Sequence, residues 1–362
     1  MTKKRQMIWY NTQKNVILTF DFQLLTFDQT YMQRCLQLAR LGIGYVAPNP
    51  MVGCVIVAQN RIIGEGYHRQ YGEAHAEVNA LNSVKERHLL PQSTVYVNLE
   101  PCSHYGKTPP CADRLVQEGV KRVVICNTDP NPKVAGKGIA KLRNAGIEVV
   151  TGILEEEGYE LNKRFFTFFT QKRPYIILKW AQTADGFLDA CHEKPIRIST
   201  DITKALVHQM RAEESAILVG TQTAIKDNPQ LHTRRWFGKH PLRIAIDRTN
   251  KIPSTHHLLD GKTDTLIINA HKNEPPYLQL NFNQPILPQL MAELYQRGIQ
   301  SLIVEGGEKT LRSFIESNYF DEIQVEIGSY RCHQGTPAPT LPTGLQQKLQ
   351  HIGDGMFMHY YR

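Results

Sequence analysis

Three ligand-type residues constrain this chain most: His75 in His75-Ala76-Glu77, Cys102 in Pro101-Cys102, and Cys111. One imidazole and two thiolates can hold zinc through three protein ligands. The fourth position is then left for a water, which marks a catalytic rather than a structural site. The local pattern states how the fold must deliver them. Ala74 to Val84 reads as a helix with His75 in its first turn, and Thr94 to Leu99 as a strand running into Cys102. Thr108 to Glu118 reads as a helix with Cys111 in its first turn, where Pro109-Pro110 is tolerated. Helix N-termini carry partial positive charge and help keep a thiolate deprotonated. Glu77 sits two residues after the histidine, placed to carry a proton rather than to ligate.

Around these motifs strands and helices alternate. Tyr31, Cys35, Leu38 and Leu41 mark one helix face, and Val52 to Val57 and Ile62 to Gly66 read as strands joined at Gln59-Asn60. Val120 to Cys126 and Glu148 to Thr151 read as further strands, with a helix from Val134 to Ala145 between them. Such alternation predicts a three-layer α/β sandwich with parallel strands. Residues 152–173 read as a helix leading to a boundary. A second α/β series then begins at Tyr175, with strands near Ile176 to Lys179, Ala216 to Val219, Leu242 to Ile246, Thr265 to Ile268 and Ser301 to Glu305. Helices fit Thr203 to Ala212, Leu287 to Arg297 and Lys309 to Ser317. The expected organisation is an extension over 1–28, one domain over 29–172 and another over 173–362, since 362 residues suffice for two cores.

Seven cysteines, an odd number, make no disulfide framework, and two of them stand in a metal-ligand spacing, so a reducing cytoplasm is expected. Cys35, Cys54, Cys126, Cys191 and Cys332 read as ordinary residues, and His68 and His104 as substitute ligands only if one of the three fails. No stretch reaches the roughly 18 apolar residues of a membrane span. The basic start Lys3-Lys4-Arg5 precedes a run broken by Asp21 and Gln23, which disfavours a signal peptide. The net charge of +8 would suit an RNA or an anionic small substrate, but the basic residues are scattered, so neither nucleic acid nor membrane is expected as a partner.

The motifs together carry a resemblance. Ala47-Pro48-Asn49-Pro50-Met51-Val52-Gly53-Cys54, Gly66-Tyr67-His68, Gly72 to Val78, and the run from Leu99 to Cys111 closely resemble the bifunctional deaminase/reductase family of riboflavin biosynthesis. Asp129-Pro130-Asn131-Pro132 and Val134 to Gly138 extend the match. The resemblance implies a cytidine-deaminase-like zinc domain and a substrate that is a diaminopyrimidinone carrying a phosphoribosylamino group. It also implies that Asn49, His68, Lys107, Asp129 and Asn131 contact that substrate. Nucleic-acid deaminases usually close the site with Pro-Cys-x-x-Cys, whereas eight residues separate Cys102 from Cys111 here.

In the second half, Val304-Glu305-Gly306-Gly307-Glu308-Lys309-Thr310 ends a strand and opens a helix. Two glycines there let a phosphate approach backbone N–H groups. Leu178-Lys179, Asp185-Gly186, Arg211, Gly220-Thr221-Gln222-Thr223, Asp227-Asn228-Pro229, Leu231 and Arg234 resemble the same family's reductase domain, similar in fold to dihydrofolate reductase. That resemblance implies NADPH as cofactor and reduction of ribosyl to ribityl. Lys179, Arg211, Leu231, Arg234 and Glu305 would hold substrate. Ala181, Arg197, Thr223, Asp227 and the turn Gly306, Gly307, Glu308, Lys309, Thr310, Leu311 and Arg312 would line the cofactor site. A homo-oligomer is expected.

The sequence departs from the family in two places. Arg197-Ile198-Ser199 replaces a common Trp-Ile-Thr, and Gly328 to Gly335 replaces a Pro-Lys-Leu-x-Gly-Gly stretch. Two rival readings therefore stand at this point. The chain could deaminate RNA or nucleosides, which tight, salt-sensitive RNA binding would favour. Alternatively the second half could be a binding module that has lost catalysis, and failure of NADPH to raise the melting temperature would favour that.

Overall fold

The structure is a computed structural model that describes residues 4–11, 16–23, 25–104, 109–189, 198–352 and 355–362. The chain forms two units, one of Met1–Gly42 with Met51–Asn162 and the other of Ile43–Pro50 with Lys163–Arg362. Lys107 and Arg197 lie outside the described residues.

In the first unit, β1 (Lys4–Asn11) and β2 (Val16–Gln23) pair antiparallel with each other. Helix α1 (Phe27–Arg40) begins at a capping box that its sequence spells out. Gln29 N–H donates to Thr26 Oγ1 at 3.2 Å and Thr26 N–H to Gln29 Oε1 at 2.9 Å. Then follow β3 (Gly53–Ala58), β4 (Arg61–Tyr67), α2 (Ala76–Ser83), β5 (Thr94–Leu99), α3 (Cys111–Gln117), β6 (Arg122–Asn127), α4 (Lys137–Asn144), β7 (Glu148–Thr151) and α5 (Glu155–Leu161). The sheet order is β4-β3-β5-β6-β7.

The all-parallel expectation fails for half of this sheet. Strand β3 runs antiparallel to both β4 and β5, and only β5, β6 and β7 are parallel. The cause is local: Gln59 and Asn60 both adopt positive φ, 52° and 60°, the geometry of a tight hairpin, and a hairpin is antiparallel by construction. Alternation along the strands sorts the core. Cys54, Ile56, Val95, Val97, Val123 and Ile125 face α2, α3 and α4. Val55, Val57, Tyr96 and Val124 face Met32, Cys35 and Leu38 of α1. Two boundaries also move. Pro110 caps α3 from outside instead of lying in its first turn, and the helix expected over 152–173 is broken at Asn162 into α5 and a second helix from Lys163.

The second unit holds α6 (Lys163–Gln171), β8 (Tyr175–Gln182), β9 (Phe187–Asp189), α7 (Asp201–Glu213), β10 (Ala216–Gly220), α8 (Thr221–Asp227), β11 (Leu242–Ile246), β12 (Thr265–Asn269) and β13 (Tyr277–Gln279). It continues through α9 (Ile286–Gln296), β14 (Ser301–Gly306), α10 (Glu308–Glu316), β15 (Glu322–Ile327), β16 (Thr336–Pro337), β17 (Gln346–Ile352) and β18 (Gly355–Tyr361). Nine strands form one sheet in the order β13-β12-β11-β10-β14-β8-β15-β18-β17. From β13 to β15 the pairs are parallel, and β18 and β17 close the edge antiparallel. The parallel strands are apolar on both faces, as a sheet covered by helices requires. Ile176, Leu178, Leu218, Leu302 and Val304 build one core; Ile217, Val219, Ala245, Ile267 and Ile303 build the other. Among the described residues no helix is long and apolar enough to cross a membrane.

Candidate active sites

The first site is built by two helix starts and one strand end. His75 is the cap residue of α2, in extended conformation, and Glu77 lies in the first turn at 3 % exposure. Helix α2 can lie this close to the hairpin only because β4 carries Gly66, where an added Cβ would stand 2.3 Å from Ala80 N. Asn79 Nδ2 donates to Tyr67 O at 2.8 Å and to Ala74 O at 3.2 Å, tying the turn before His75 to the strand. Strand β5 runs into Glu100-Pro101-Cys102. Cys111 N–H donates to Cys102 Sγ at 3.3 Å and Ala112 N–H to Cys102 O at 3.1 Å, so the start of α3 closes on the cysteine loop.

His75, Cys102 and Cys111 place their ligand atoms within 4.8 Å of one another. His75 Nδ1 stands 3.6 Å from Cys102 Sγ and 3.4 Å from Cys111 Sγ. Two ligands of one tetrahedral zinc, at the usual Zn–N and Zn–S lengths, stand about 3.6 Å apart. The donors therefore fit zinc in both chemistry and spacing. Electrostatics agree. The hydrogen bond from the Cys111 thiol, followed by that from His75, pulls the Cys102 thiol down to about 4 against the opposing effect of burial. The bond to Cys102 raises His75 to about 9, while that bond and burial push Cys111 well up. Both thiols must be deprotonated to hold zinc, so binding of the metal would release protons. Burial raises the Glu77 carboxyl, which also meets the Cys111 thiol.

The other expected residues divide. His68 is 2 % exposed, its ring edge-on to that of His75 with centroids 5.4 Å apart, and its Nδ1 lies 3.1 Å from Ala74 O. Asp129 is buried and its Oδ1 accepts from Asn131 N–H at 2.7 Å; burial lifts its carboxyl to about 6. Asn49 falls in Ile43–Pro50, a segment of the second unit. Sequence reasoning missed Glu100. At 4 % exposure it accepts four backbone N–H bonds, from Asp129 (3.3 Å), Gly136 (2.9 Å), Gly138 (2.9 Å) and Ile139 (3.1 Å). It thereby fixes the Asp129 loop and the start of α4 beside the cysteine loop. Its partners are all backbone N–H groups, so residue types alone gave no signal of it.

The second site is an open cleft of 1740 Å³. It lies outside the carboxyl ends of β8, β10, β11, β12 and β14, where the strand order reverses. Of the residues assigned to the cofactor, Ala181, Thr223, Asp227, Gly307, Glu308, Lys309, Thr310 and Leu311 line it, and Gly306 and Arg312 do not. Arg312 instead pairs along its own helix with Glu308 at 3.1 Å. At Gly220 an added Cβ would stand 2.3 Å from Thr310 Oγ1, so the starts of α8 and α10 meet only because that residue is glycine. The starts of both helices line the cleft.

Glu305 lines the same cleft and anchors a charged cluster. Arg211 Nη2 donates to Glu305 Oε2 at 2.6 Å and Nε to Oε1 at 3.3 Å. Burial pushes the Glu305 carboxyl up, but Arg211 and the buried Lys179 more than offset it and hold the group below its ordinary value. Arg234 N–H donates to His208 Nδ1 at 3.2 Å. Leu231, 2 % exposed, packs into the core instead of opening toward the cleft.

Comparison with known proteins identifies the families of both regions. Residues 25–127 match the cytidine and deoxycytidylate deaminase zinc-binding region, and residues 174–351 match the RibD C-terminal domain. The chain is 43 % identical over 312 residues to the riboflavin biosynthesis protein RibD of Aquifex aeolicus, covering 83 % of this chain and 86 % of the relative. It is 35 % identical over 367 residues to that of Escherichia coli K12, covering 92 % and 98 %. A crystal structure of a diaminohydroxyphosphoribosylaminopyrimidine deaminase/5-amino-6-(5-phosphoribosylamino)uracil reductase from Thermotoga maritima superposes with a TM-score of 0.84 at 34 % identity, covering 92 % and 98 %. Acinetobacter baumannii RibD gives 0.84 at 33 % over the same shares. With a zinc-binding deaminase domain and a reductase domain joined in one polypeptide, this chain belongs to the RibD family of bifunctional riboflavin-biosynthesis enzymes.

Proposed function

We propose that the first unit hydrolytically deaminates 2,5-diamino-6-(5-phosphoribosylamino)pyrimidin-4(3H)-one and that the second reduces the ribosyl group of the product to ribityl with NADPH. The single observation that carries the first half is the donor set His75, Cys102 and Cys111 with Glu77 beside it. His75, Cys102 and Cys111 would hold zinc, which when bound lowers the pKa of a water in its fourth position. Glu77 takes a proton from the attacking water as its oxygen bonds to the amine-bearing ring carbon, and delivers it to the amine nitrogen as that carbon–nitrogen bond breaks and ammonia leaves. Its burial serves this role, because burial raises the carboxyl and so makes it a better proton acceptor than an exposed carboxylate. Asp129 and Asn131, held by Glu100, orient the ring, and His68 closes the wall beside His75. Asn49 and Lys107 are assigned substrate contacts on the resemblance alone.

In the second unit Lys179 and Arg211 lie beside Glu305 and Arg234 beside His208 and Arg211, a set of cations that suits a phosphorylated sugar, with Leu231 fixing the loop that carries Arg234. The turn from Gly307 to Leu311, with Ala181, Thr223 and Asp227, would hold NADPH, which when bound supplies the reducing hydride. A site that needs two reduced cysteines suits a reducing cytoplasm.

The test is mass analysis of the products when zinc-loaded protein meets the phosphoribosylated diaminopyrimidinone and NADPH. A deaminated ribityl product supports both assignments. A deaminated product that keeps its ribosyl group overturns the reductase half, and no deamination overturns the first.

A further inference from the structure

The geometry points to His208 as a positioning residue that holds Arg234 in place for the phosphate monoester of the reductase substrate. The inference rests on the reductase reading above.

His208 lies on α7 one turn before Arg211, on the same helix face, and is 4 % exposed. Its Nδ1 accepts the backbone N–H of Arg234 at 3.2 Å, joining α7 to a loop 26 residues further along the chain. The neighbouring N–H, that of Thr233, is accepted by His240 Nδ1 at 3.3 Å. Two imidazoles thus fix two successive backbone donors. From the other end the loop is pinned by Leu231, buried at 2 % exposure in spite of a φ of 54°, a left-handed conformation costly for a residue with a side chain.

Accepting a hydrogen bond at Nδ1 requires a neutral ring with its proton on Nε2. The charged and titratable groups facing His208 are Arg211, Arg234, Glu305 and His232. Burial first, then the two guanidinium groups, hold its pKa down to about 4, while Glu305 works weakly the other way. The acceptor therefore persists throughout the neutral range. Arg211 is already neutralised by Glu305, whereas Arg234 has no carboxylate partner among the described residues. Arg234 therefore stands in the cluster without a paired carboxylate among the described residues, and His208 decides where the backbone beneath it stands.

The test compares three variants in the full zinc-loaded enzyme, with the deaminated phosphoribosylaminouracil and NADPH as substrates. Asparagine sets Oδ1 close to the place of Nδ1, whereas glutamine reaches beyond it and alanine offers no acceptor. His208→Ala is expected to raise KM for the phosphorylated substrate roughly tenfold with kcat nearly unchanged, because a buried N–H loses its partner. His208→Asn restores KM to within about threefold of the parent, and His208→Gln does not. A kcat for reduction close to that of the parent shows that the second unit of each variant has folded. If His208→Ala fails to fold, the contrast between asparagine and glutamine decides alone. An unchanged KM in His208→Ala, or equal damage from asparagine and glutamine, overturns the inference. Absence of reduction in the unsubstituted enzyme would instead strike the reductase reading.

Discussion

The two sites solve the problem of placing functional groups in opposite ways. In the first unit three donor atoms stand within 4.8 Å of one another, on the starts of two helices and the end of one strand. In the second, the lining is drawn from residues between Ala181 and Thr336 and surrounds an open space of 1740 Å³. A small hard-chemistry site can be specified by a few residues whose identities are chemically scarce. A large cofactor cleft is specified by the ends of parallel strands, whose residues are individually ordinary. The first should fail at single atoms, and the second by degrees.

Glu77→Gln tests that contrast most severely. Deamination should fall by about 10²–10⁴-fold with zinc content unchanged in metal analysis and with reduction of a supplied deaminated substrate intact. Undiminished deamination would remove Glu77 from the proton path. Next in size is Glu305→Ala, which strands Arg211 at a side-chain exposure of 12 %. Breaking such a pair costs about 3–5 kcal/mol, so the second unit's melting transition should drop while deamination at low temperature survives. If both activities fell together, the two sites would not be separable in the way described.

Gly66→Ala probes whether the zinc site depends on close packing. Its new Cβ would meet Ala80 N at 2.3 Å. Overpacking of this kind costs about 1–3 kcal/mol, and zinc affinity measured by competition with a chelator should weaken as α2 shifts. A pH titration then sharpens the picture of the second unit. His208 is held at about 4, below its ordinary value, so its contribution is fully present above pH 6.5. The contribution is lost as pH falls from there toward 4, because the unfolded chain takes up the proton first. Melting temperatures of the parent and His208→Asn should converge over that interval. The smallest effect belongs to Arg61→Ala, whose pair with Glu86 is 49 % and 45 % exposed. Its loss should change stability by no more than ~0.5 kcal/mol in denaturant titration, since exposed ion pairs contribute little.

Much of this was legible before any coordinates. The zinc donors, the proton carrier and the alternation of elements follow from residue types and spacing that few other chemistries use. The turn at Gln59-Asn60 was read but the antiparallel pairing it enforces was not, because with neither residue a glycine nothing in the sequence marks the two positive φ values of a tight hairpin. The C-terminal pair β17 and β18 was missed because β17 is exposed along nearly its whole length and carries no apolar alternation. Glu100 and His208 were missed for a different reason. Their partners are backbone N–H groups distant in sequence, and backbone atoms leave no mark in a list of residues.

The sequence by itself determined which atoms could carry the chemistry, because imidazole, thiolate and carboxylate have no substitutes for holding zinc and moving a proton. Only the tertiary structure decided which buried groups hold those atoms still. Glu100 and His208 act through hydrogen bonds to main-chain donors, and such bonds exist only once strands and helices have packed to bring the backbone within reach.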